Sequence, residues 1–255
     1  MKILFVGDIV GKPGRNAVRS LVPRLRSQHA LDFCIGNSEN SAAGAGITPD
    51  TADELLETLD LLTSGNHTWS KREIAPYLDK PGCRQLRPAN YPEGAPGRGH
   101  AVLDGRLGVI NLEGRVFMKP LEDPFRTADR LISQLGVRCI LVDMHCEATS
   151  EKNAMGQYLD GRVSAVLGSH THIQTADARV LRGGTAFITD VGMCGPWDSV
   201  IGVRKEAAIE RFLTQRHASF EVASGETHLQ GAIVEIDDAT GRALSIERVQ
   251  ERHDS

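Results

Sequence analysis

Residues 163–172 read VSAVLGSHTH, an apolar strand-like run followed at once by glycine, serine and two histidines one residue apart. Val, Ala and Leu in this run are typical of a buried strand, and Gly168 with Ser169 allows a sharp turn at its end. If the next segment is extended, His170 and His172 point to the same side, because side chains alternate along extended backbone. The two histidines are then predicted to bind the same metal ion, or to bind one ion each of two closely spaced ions.

Other apolar runs end in the same way, each followed by residue types that bind metals. Ligands collect at the carboxyl ends of strands in open α/β sheets, so donors on separate strands are expected to converge on one site. Imidazole, carboxylate and amide donors together favour Fe, Mn, Zn or Co over Mg or Ca. The set exceeds what one tetrahedral ion takes and suits two ions about 3.5–4 Å apart that share a carboxylate. The residues that follow these runs are Asp8, Glu39, Asn40, Asn66, His67 and His145.

The composition limits the classes of protein to which the chain can belong. Its 255 residues suffice for a sizeable core, and we predict a single α/β domain over residues 1–255. The net charge of -4, with both signs interspersed, argues against a nucleic-acid-binding surface. No apolar run approaches the ~20 residues that cross a bilayer, and the start does not read as a signal peptide. Five cysteines without a CxxC pair indicate reduced thiols and a cytoplasmic protein.

Hydrophobic periodicity predicts a layered α/β fold, with two β-sheets packed together and helices outside. Residues 11–14 are expected to form a loop, residues 81–99 an irregular segment, and residues 101–112 a hairpin. Helices are predicted over residues 16–28, from the Thr-Pro pair at 48–49, and over 71–78, 123–135 and 150–159. Alternating segments late in the chain predict a largely antiparallel second sheet. These segments are residues 180–181, 186–189, 219–222, 229–236 and 244–249.

Longer motifs surround the metal-type residues, and together they are far more specific than GNH or HxH alone. With this spacing the chain resembles the calcineurin-like metallophosphoesterase superfamily, and within it the YmdB-type branch of bacterial phosphodiesterases, over close to its full length. The resemblance implies a metallophosphoesterase-like sandwich of two mixed β-sheets flanked by helices. The motifs are GDIVGKPGR (7–15), GNSENSAAGAGIT (36–48), SGNHTW (64–69), GRVFM (114–118), DMHCEATSEK (143–152), GSHTHIQTAD (168–177) and DVGMCGPWDSVIG (190–202).

The resemblance also implies a role for each metal-type residue. One ion would be held by Asp8, Glu39, Asn40 and His172. The other would be held by Glu39, Asn66, His145 and His170, with Glu39 bridging the two ions. His67 would be the proton donor. Two departures from the wider superfamily stand out: the usual histidine after the first aspartate is absent at Val10, and the usual bridging aspartate is Glu39. Iron is the implied metal, as divalent or mixed-valence ions, with Mn or Zn as alternatives.

The implied activity is hydrolysis of phosphodiesters, with cyclic nucleotides such as 2',3'- or 3',5'-cyclic AMP favoured. A hydroxide bridging the two metals would attack phosphorus in line, and His67 would protonate the departing oxygen. A broad phosphomonoesterase is the alternative enzyme, and a non-catalytic scaffold on the same fold is the alternative outside catalysis. The expected partner is a small phosphoester such as a nucleotide, without a membrane or a stable nucleic-acid complex. A homo-oligomer is compatible with the sequence.

Several single features have two interpretations. Cys146 beside His145 suggests a thiol nucleophile, although a cysteine that only packs is the commoner case. The glycine-rich residues 44–46 suggest a phosphate cradle, but no P-loop Lys-Ser/Thr follows, so plain flexibility is favoured. Residues 190–202 either wall a substrate pocket or simply connect two sheets. The remaining histidines show no partner pattern and are predicted to be surface residues: His29, His100, His217, His228 and His253.

Overall fold

Two mixed β-sheets pack face to face and helices cover their outer faces, as the sequence predicts. The structure is a computed structural model that describes residues 1–216 and 219–253. The first sheet has the order β2-β11-β12-β1-β3-β4, with β13 paired to β12. Its strands are β1 (Lys2–Val6), β2 (Asp8–Ile9), β3 (Phe33–Asn37), β4 (Leu61–Thr63), β11 (Met193–Pro196), β12 (Thr227–Ile236) and β13 (Ala243–His253).

The second sheet has the order β5-β6-β7-β8-β10-β9, with a parallel centre and an antiparallel strand at each edge. The predicted hairpin is confirmed, because the strands on either side of residues 104–106 pair antiparallel. The strands of this sheet are β5 (His100–Leu103), β6 (Leu107–Glu113), β7 (Cys139–His145), β8 (Ala165–Ser169), β9 (Arg179–Val180) and β10 (Ala186–Ile188).

The helices lie on the two outer faces of this sandwich. Thr48 caps the second helix by accepting a hydrogen bond from the Thr51 backbone N–H, and Pro49 occupies the first turn, as predicted. In the described residues no helix is long and apolar enough to cross a bilayer. The helices are α1 (Gly11–His29), α2 (Pro49–Leu56), α3 (Ile74–Leu78), α4 (Pro124–Leu135), α5 (Thr149–Tyr158) and α6 (Lys205–Thr214), with a 3-10 turn at Thr68–Ser70.

The alternation of side chains along β1 shows how the layers are held together. Ile3 and Phe5 lie in the core between the two sheets, whereas Leu4 and Val6 lie in the core between the first sheet and the α1 and α2 helices. All four side chains are fully buried. Burial of each contributes about 1.5–3 kcal/mol relative to exposure. A strand that is apolar on both faces must be covered on both, so the continuous apolar run at residues 3–6 requires helices on one side of the first sheet and the second sheet on the other.

The prediction that the late segments together form one largely antiparallel second sheet is wrong. β10 pairs parallel with β8, and β9 pairs with β10, so both extend the second sheet. β12 and β13 instead form an antiparallel pair inside the first sheet, with β12 next to β1. Residues 219–222 form no strand in the described chain. Alternation marks a strand with one buried face, but it carries no information about which distant strand will be the partner.

Two local expectations also differ from the structure. The predicted loop at residues 11–14 is the first turn of α1, where Pro13 is tolerated because early helical N–H groups have no intrahelical partner. The predicted helix over 71–78 is shortened to α3. The helix α6 was not predicted, because only Ala208 of its residues is buried and it therefore lacks a clear apolar stripe.

Candidate metal centre

The predicted ligands meet where strands of both sheets end. β3 and β4 are parallel neighbours in the first sheet, and β7 and β8 are parallel neighbours in the second. Parallel neighbours present their carboxyl ends at the same edge, so the loops that follow them lie side by side. Gly65 makes close approach possible, because a Cβ there would lie 2.0 Å from the His145 ring. The residues brought together are Asp8, Glu39, Asn40, Asn66, His67, His145, His170 and His172.

His145 is the centre of one group of donors. Its Nε2 lies 3.0 Å from Asn66 Oδ1, 3.2 Å from Glu39 Oε2 and 3.0 Å from His170 Nδ1. Ligand atoms of Glu39, His145 and His170 all lie within 4.8 Å of one another, a spacing that one metal ion could bridge. The side chains of Glu39 and His145 are almost completely buried.

A second group of donors lies beside the first. His172 Nε2 is 2.9 Å from Asn40 Nδ2 and 3.8 Å from Asp8 Oδ1. The His172 Nδ1 lies 2.8 Å from the Ile201 carbonyl oxygen, which orients the ring with Nε2 toward Asp8. Asp8 also lies 3.8 Å from His145 Nδ1, so it stands between the two groups.

The donor set fits a cation. Asp8 is fully buried, and its Oδ1 has no hydrogen-bond partner among the described residues, while Oδ2 accepts from the His170 backbone N–H. A buried carboxylate oxygen without a partner is costly unless a cation or a donor satisfies it. Because imidazole nitrogens surround this oxygen, the site suits a transition-metal ion better than an all-oxygen ion.

The family model described as YmdB-like protein matches residues 4–249 of this chain. The chain belongs to the YmdB-like family. It is 50% identical over 98% of its length to a protein of Bacillus subtilis strain 168 named 2',3'-cyclic-nucleotide 2'-phosphodiesterase, of which it covers 96%. The resemblance seen in the sequence is therefore confirmed.

Solved structures of relatives have the same fold. A protein of Thermus thermophilus, described only as hypothetical, superimposes with a TM-score of 0.93 at 40% identity, with complete coverage of both chains. A protein of Mycoplasma pneumoniae, described as a novel phosphatase, gives a TM-score of 0.92 at 34% identity, covering 99% of this chain and 93% of that one. These likenesses confirm the predicted metallophosphoesterase-like sandwich.

The histidine loop differs from the extended segment that the sequence predicted. β8 ends at Ser169, and His170 and His172 have φ values of 100° and 65°. Positive φ is rare for residues with a side chain, and such backbone strain clusters at functional sites. The turned backbone delivers His170 through Nδ1 to one group and His172 through Nε2 to the other. The pair therefore serves two groups of donors within this YmdB-like centre.

A buried ion pair supports this strained loop. Asp190 Oδ2 accepts hydrogen bonds from both the backbone N–H and the hydroxyl of Thr171, at 3.0 and 2.7 Å. The same oxygen lies 2.7 Å from Lys152 Nζ, and both side chains are 1% exposed. Thr171 is the residue between the two histidines, so this pair holds the loop in its unusual conformation. Sequence reasoning missed both charges, although Lys152 and Asp190 lie in the quoted family motifs.

Asp143 is a further missed residue, buried behind His145. It accepts hydrogen bonds from Ser169 Oγ at 2.6 Å and from Thr63 Oγ1 at 2.5 Å. Ser169 Oγ in turn lies 3.0 Å from His145 Nδ1, so the carboxylate reaches the imidazole through one hydroxyl. Burial raises the pKa of Asp143 to about 6. Such outer residues fix the orientation of a ligating histidine. Alternation along β7 offered a signal, because Asp143 and His145 share one face of the strand.

Opposite pKa shifts distinguish the two histidines around Glu39. Burial disfavours the charged form of His145, but the nearby carboxylate of Glu39 outweighs it and raises the pKa of His145. Burial and the neighbouring charge of His145 lower the pKa of His170 to about 3. In the metal-free protein a proton on His145 therefore provides the positive charge that faces Glu39. Binding a cation here must displace that proton, since an imidazole ligand is neutral.

His67 lies beside the first group of donors, in a more open position. Its backbone N–H donates to Glu39 Oε2 at 3.1 Å, and its Nδ1 lies 3.3 Å from Ser70 Oγ. The backbone thus helps to hold the central carboxylate, while the ring is half-buried and accessible. Its placement next to Asn66 is compatible with the predicted role as proton donor.

Glu113, at the end of β6, is a buried carboxyl that the sequence did not indicate. It is in register with His145 on the neighbouring strand, so both side chains lie on the same face of the sheet. Neither carboxyl oxygen has a hydrogen-bond partner among the described residues, and the same holds for the nearby Tyr91 hydroxyl. Burial raises the pKa of Glu113 to about 7, and burial together with the charge of Glu113 raises that of Tyr91 to about 12.

We expect Glu113→Gln to make the chelator-treated protein more stable at pH 8 than the wild type. The pKa of Glu113 is higher in the folded than in the unfolded chain, where it is about 4.5. The folded protein binds more protons between these values, so its stability falls as pH rises from about 4.5 to 7. The neutral amide removes a cost of about 3 kcal/mol at pH 8. Urea unfolding at pH 4.5 and 8 measures the difference in free energy of unfolding between Glu113→Gln and the wild type. Glu247→Gln, at an exposed position, is the control. Equal gains at both pH values would contradict it.

Cys146 packs in the core and does not act as a nucleophile. It is buried and donates to Glu151 Oε2 at 3.1 Å, and burial raises its thiol pKa. Residues 190–202 connect the two sheets, and they also hold the site through Asp190 and the Ile201 carbonyl.

The remaining histidines were predicted to lie at the surface. Those at positions 29, 100, 228 and 253 are half-buried, so each is only partly exposed. The prediction for His217 falls outside the described residues.

Proposed function

We propose that this protein is a dinuclear-metal phosphodiesterase that hydrolyses cyclic nucleotides, with 2',3'-cyclic nucleotides as the favoured class. The observation that carries the proposal is the 50% identity, over 98% of the chain, to the Bacillus subtilis 2',3'-cyclic-nucleotide 2'-phosphodiesterase. The cluster of Glu39, His145 and His170 supports it independently, because phosphoester hydrolysis by two-metal centres uses such donors. A 3',5'-cyclic nucleotide is the second substrate to test.

We further propose that the two donor groups hold one ion each, with Glu39 shared. The first ion would take Asp8, Asn40 and His172, and the second would take Asn66, His145 and His170. Iron is the favoured metal, with Mn or Zn as alternatives, because imidazole ligands suit iron and zinc, and the carboxylate and amide oxygens of the set suit Mn. When bound, the ions would acidify a water nucleophile and offset charge on the phosphoryl oxygens.

The side chains of the protein supply the rest of the chemistry. Asp190 and Lys152 keep the histidine loop in place, and the Ser169–Asp143 relay fixes the His145 ring. His67, next to Asn66, is the candidate to protonate the departing ribose 2'-oxygen, a step of roughly 10²–10⁴-fold. Each residue is held before substrate arrives, so little reorganisation is required during the reaction.

A broad phosphomonoesterase is the second candidate, favoured by the likeness to the Mycoplasma pneumoniae protein described as a novel phosphatase. The two activities differ in the charge of the substrate, since a monoester dianion carries one more negative charge than a diester. A non-catalytic scaffold is not supported, because every predicted ligand position is filled and His67 is present beside them.

The decisive experiment uses anaerobically purified protein, so that ferrous iron is not oxidised. Elemental analysis is expected to find about two metal ions per chain. The protein should hydrolyse 2',3'-cyclic AMP, and it should prefer bis-nitrophenyl phosphate to mono-nitrophenyl phosphate. The reverse preference would favour the phosphomonoesterase. Metal-loaded protein inert toward all of these esters would overturn both enzyme proposals.

Separate observations support proposals about the domain organisation, the cellular location and the partners of the protein. Buried clusters link both sheets and their helices, which supports one domain over residues 1–255. The thiols of Cys34, Cys83, Cys139, Cys146 and Cys194 are all free, which supports a cytoplasmic location. A small nucleotide is the proposed partner. Self-association is the remaining proposal and is tested by light scattering.

A further inference from the structure

The segment 114–118 leaves the second sheet directly beside the candidate metal centre. Glu113 ends β6 in register with His145, and the Gly114 N–H donates to the His145 carbonyl oxygen at 2.9 Å. The segment therefore starts at the same sheet edge as the metal-type residues, one strand away from His145. Its sequence is GRVFM, and none of its side chains belongs to the donor groups of the candidate metal centre.

Phe117 has an unusual conformation within this segment. Its φ is 63°, in the left-handed region that bulky residues rarely occupy, and its side chain is 89% exposed. A large aromatic ring in water and a strained backbone are both unfavourable, and neither contributes to packing of this chain. Strain of this kind persists only where the surroundings hold it, and it clusters at functional sites.

The surroundings of Phe117 do hold the backbone. The carboxylate of Glu151, 8% exposed, accepts from the backbone N–H groups of Arg115 and Val116 at 3.0 and 3.1 Å. Gly114 lies against the same carboxylate, where a Cβ would come within 2.7 Å of Glu151 Oε2. A buried acid is thus used to hold a surface segment in one shape. The backbone that carries the ring is preorganised, which lowers the entropy lost when a ligand binds.

Two contacts tie the segment to the histidine loop. The Glu147 backbone N–H lies 3.3 Å from Met118 Sδ, and the Glu147 carboxylate lies 3.0 Å from His170 Nε2. Met118, the residue after Phe117, is therefore linked to the donor His170 through Glu147 alone. Arg115 and Lys119 flank Phe117 in the sequence and both are exposed. The Arg115 guanidinium is paired with Asp123 at 2.9 Å, so Lys119 is the residue that adds positive charge next to Phe117.

We propose that Phe117 forms the base-stacking surface of the substrate site, and that it binds the nucleobase of the cyclic nucleotide. The inference rests on the proposed function. A flat, exposed ring on a held backbone, two residues from the cation Lys119, matches a flat base attached to an anionic phosphoester. A base stacked on an aromatic side chain is worth about 1–3 kcal/mol, which corresponds to roughly fivefold to hundredfold in affinity.

The test compares Phe117→Ala, Phe117→Leu and Phe117→Trp on substrates with and without a base. We expect Phe117→Ala and Phe117→Leu to lower kcat/KM for 2',3'-cyclic AMP about tenfold or more through KM, and Phe117→Trp to retain it. Glycerol 1,2-cyclic phosphate lacks a base, so its kcat/KM should change less than twofold in each variant. Phe212→Ala, which removes another exposed ring on α6, is the matched control.

Several outcomes would overturn the stacking surface. One is unchanged kcat/KM for 2',3'-cyclic AMP in Phe117→Ala, and another is an equal loss on the substrate without a base. A change of oligomeric state in Phe117→Ala, measured by analytical ultracentrifugation at assay concentration, would assign the ring to a contact between copies of the chain. Failure of the proposed function is distinguishable, because the wild-type protein would then be inert toward 2',3'-cyclic AMP.

Discussion

Glu39→Gln is expected to release at least one metal ion and to lower kcat/KM for 2',3'-cyclic AMP by about 10³-fold or more. The Glu39 carboxylate lies 3.2 Å from His145 Nε2 and accepts from the His67 backbone N–H, so it is at the centre of the donor cluster. An amide of the same shape carries no charge, and it offers one acceptor oxygen where the carboxylate offers two. Metal centres contribute several kcal/mol to such reactions, and each 1.4 kcal/mol corresponds to tenfold in rate.

Two measurements on the same sample check this prediction. Elemental analysis gives the metal content of each chain, and steady-state kinetics give kcat/KM. Glu206→Gln makes the same chemical change on the exposed α6 helix and should alter neither quantity. If Glu39→Gln retains both ions and wild-type turnover, the proposed bridging role of Glu39 is wrong.

His67→Ala is expected to have an effect that depends on the leaving group. Turnover of 2',3'-cyclic AMP should fall about 10²–10⁴-fold, because the departing ribose oxygen is strongly basic and needs a proton. Turnover of bis-nitrophenyl phosphate should fall only a few-fold, because nitrophenolate leaves without protonation. Metal content should be unchanged, since the contact between residue 67 and Glu39 is made by the backbone N–H.

The control for this prediction is Ser70→Ala, which removes the hydroxyl 3.3 Å from His67 Nδ1 but leaves the imidazole. Its effect on 2',3'-cyclic AMP should be small compared with that of His67→Ala. Equal losses on both esters in His67→Ala would assign the imidazole to substrate binding. The proton-donor role would then have to be abandoned.

The candidate site was the most predictable part of the molecule. The ligand residues each lie at or just after the end of an apolar strand, and parallel strands bring such positions to one edge. They include Asp8, Glu39, Asn66, His145 and His170. This rule depends only on local pattern and on sheet geometry, so the convergence could be expected before any contact was known. The supporting residues could not be found in this way. Lys152 and Asp190 are single charges whose pairing joins segments 38 residues apart, and alternation along β7 is the one local signal for Asp143.

Strand partners and backbone conformation were less predictable. β12 is a strand as predicted, yet it is buried on both faces along most of its length. Its place next to β1 follows from a pairing across more than 200 residues that no local signal encodes. The turned histidine loop depends on Asp190, which is held by Lys152 from α5. The exposed ring of Phe117 depends in the same way on Glu151. In both cases a distant buried charge determines a conformation that the local sequence disfavours.

The sequence by itself therefore determined which residues could bind metal, which strands would be buried and which family the chain resembles. These properties depend on residue type and on spacing along the chain. Only the tertiary structure decided that His170 and His172 serve different donor groups, that Glu113 is buried without a partner among the described residues, and how the late strands divide between the sheets. Those properties arise from contacts between distant segments, whose free energy exists only when the whole fold has formed.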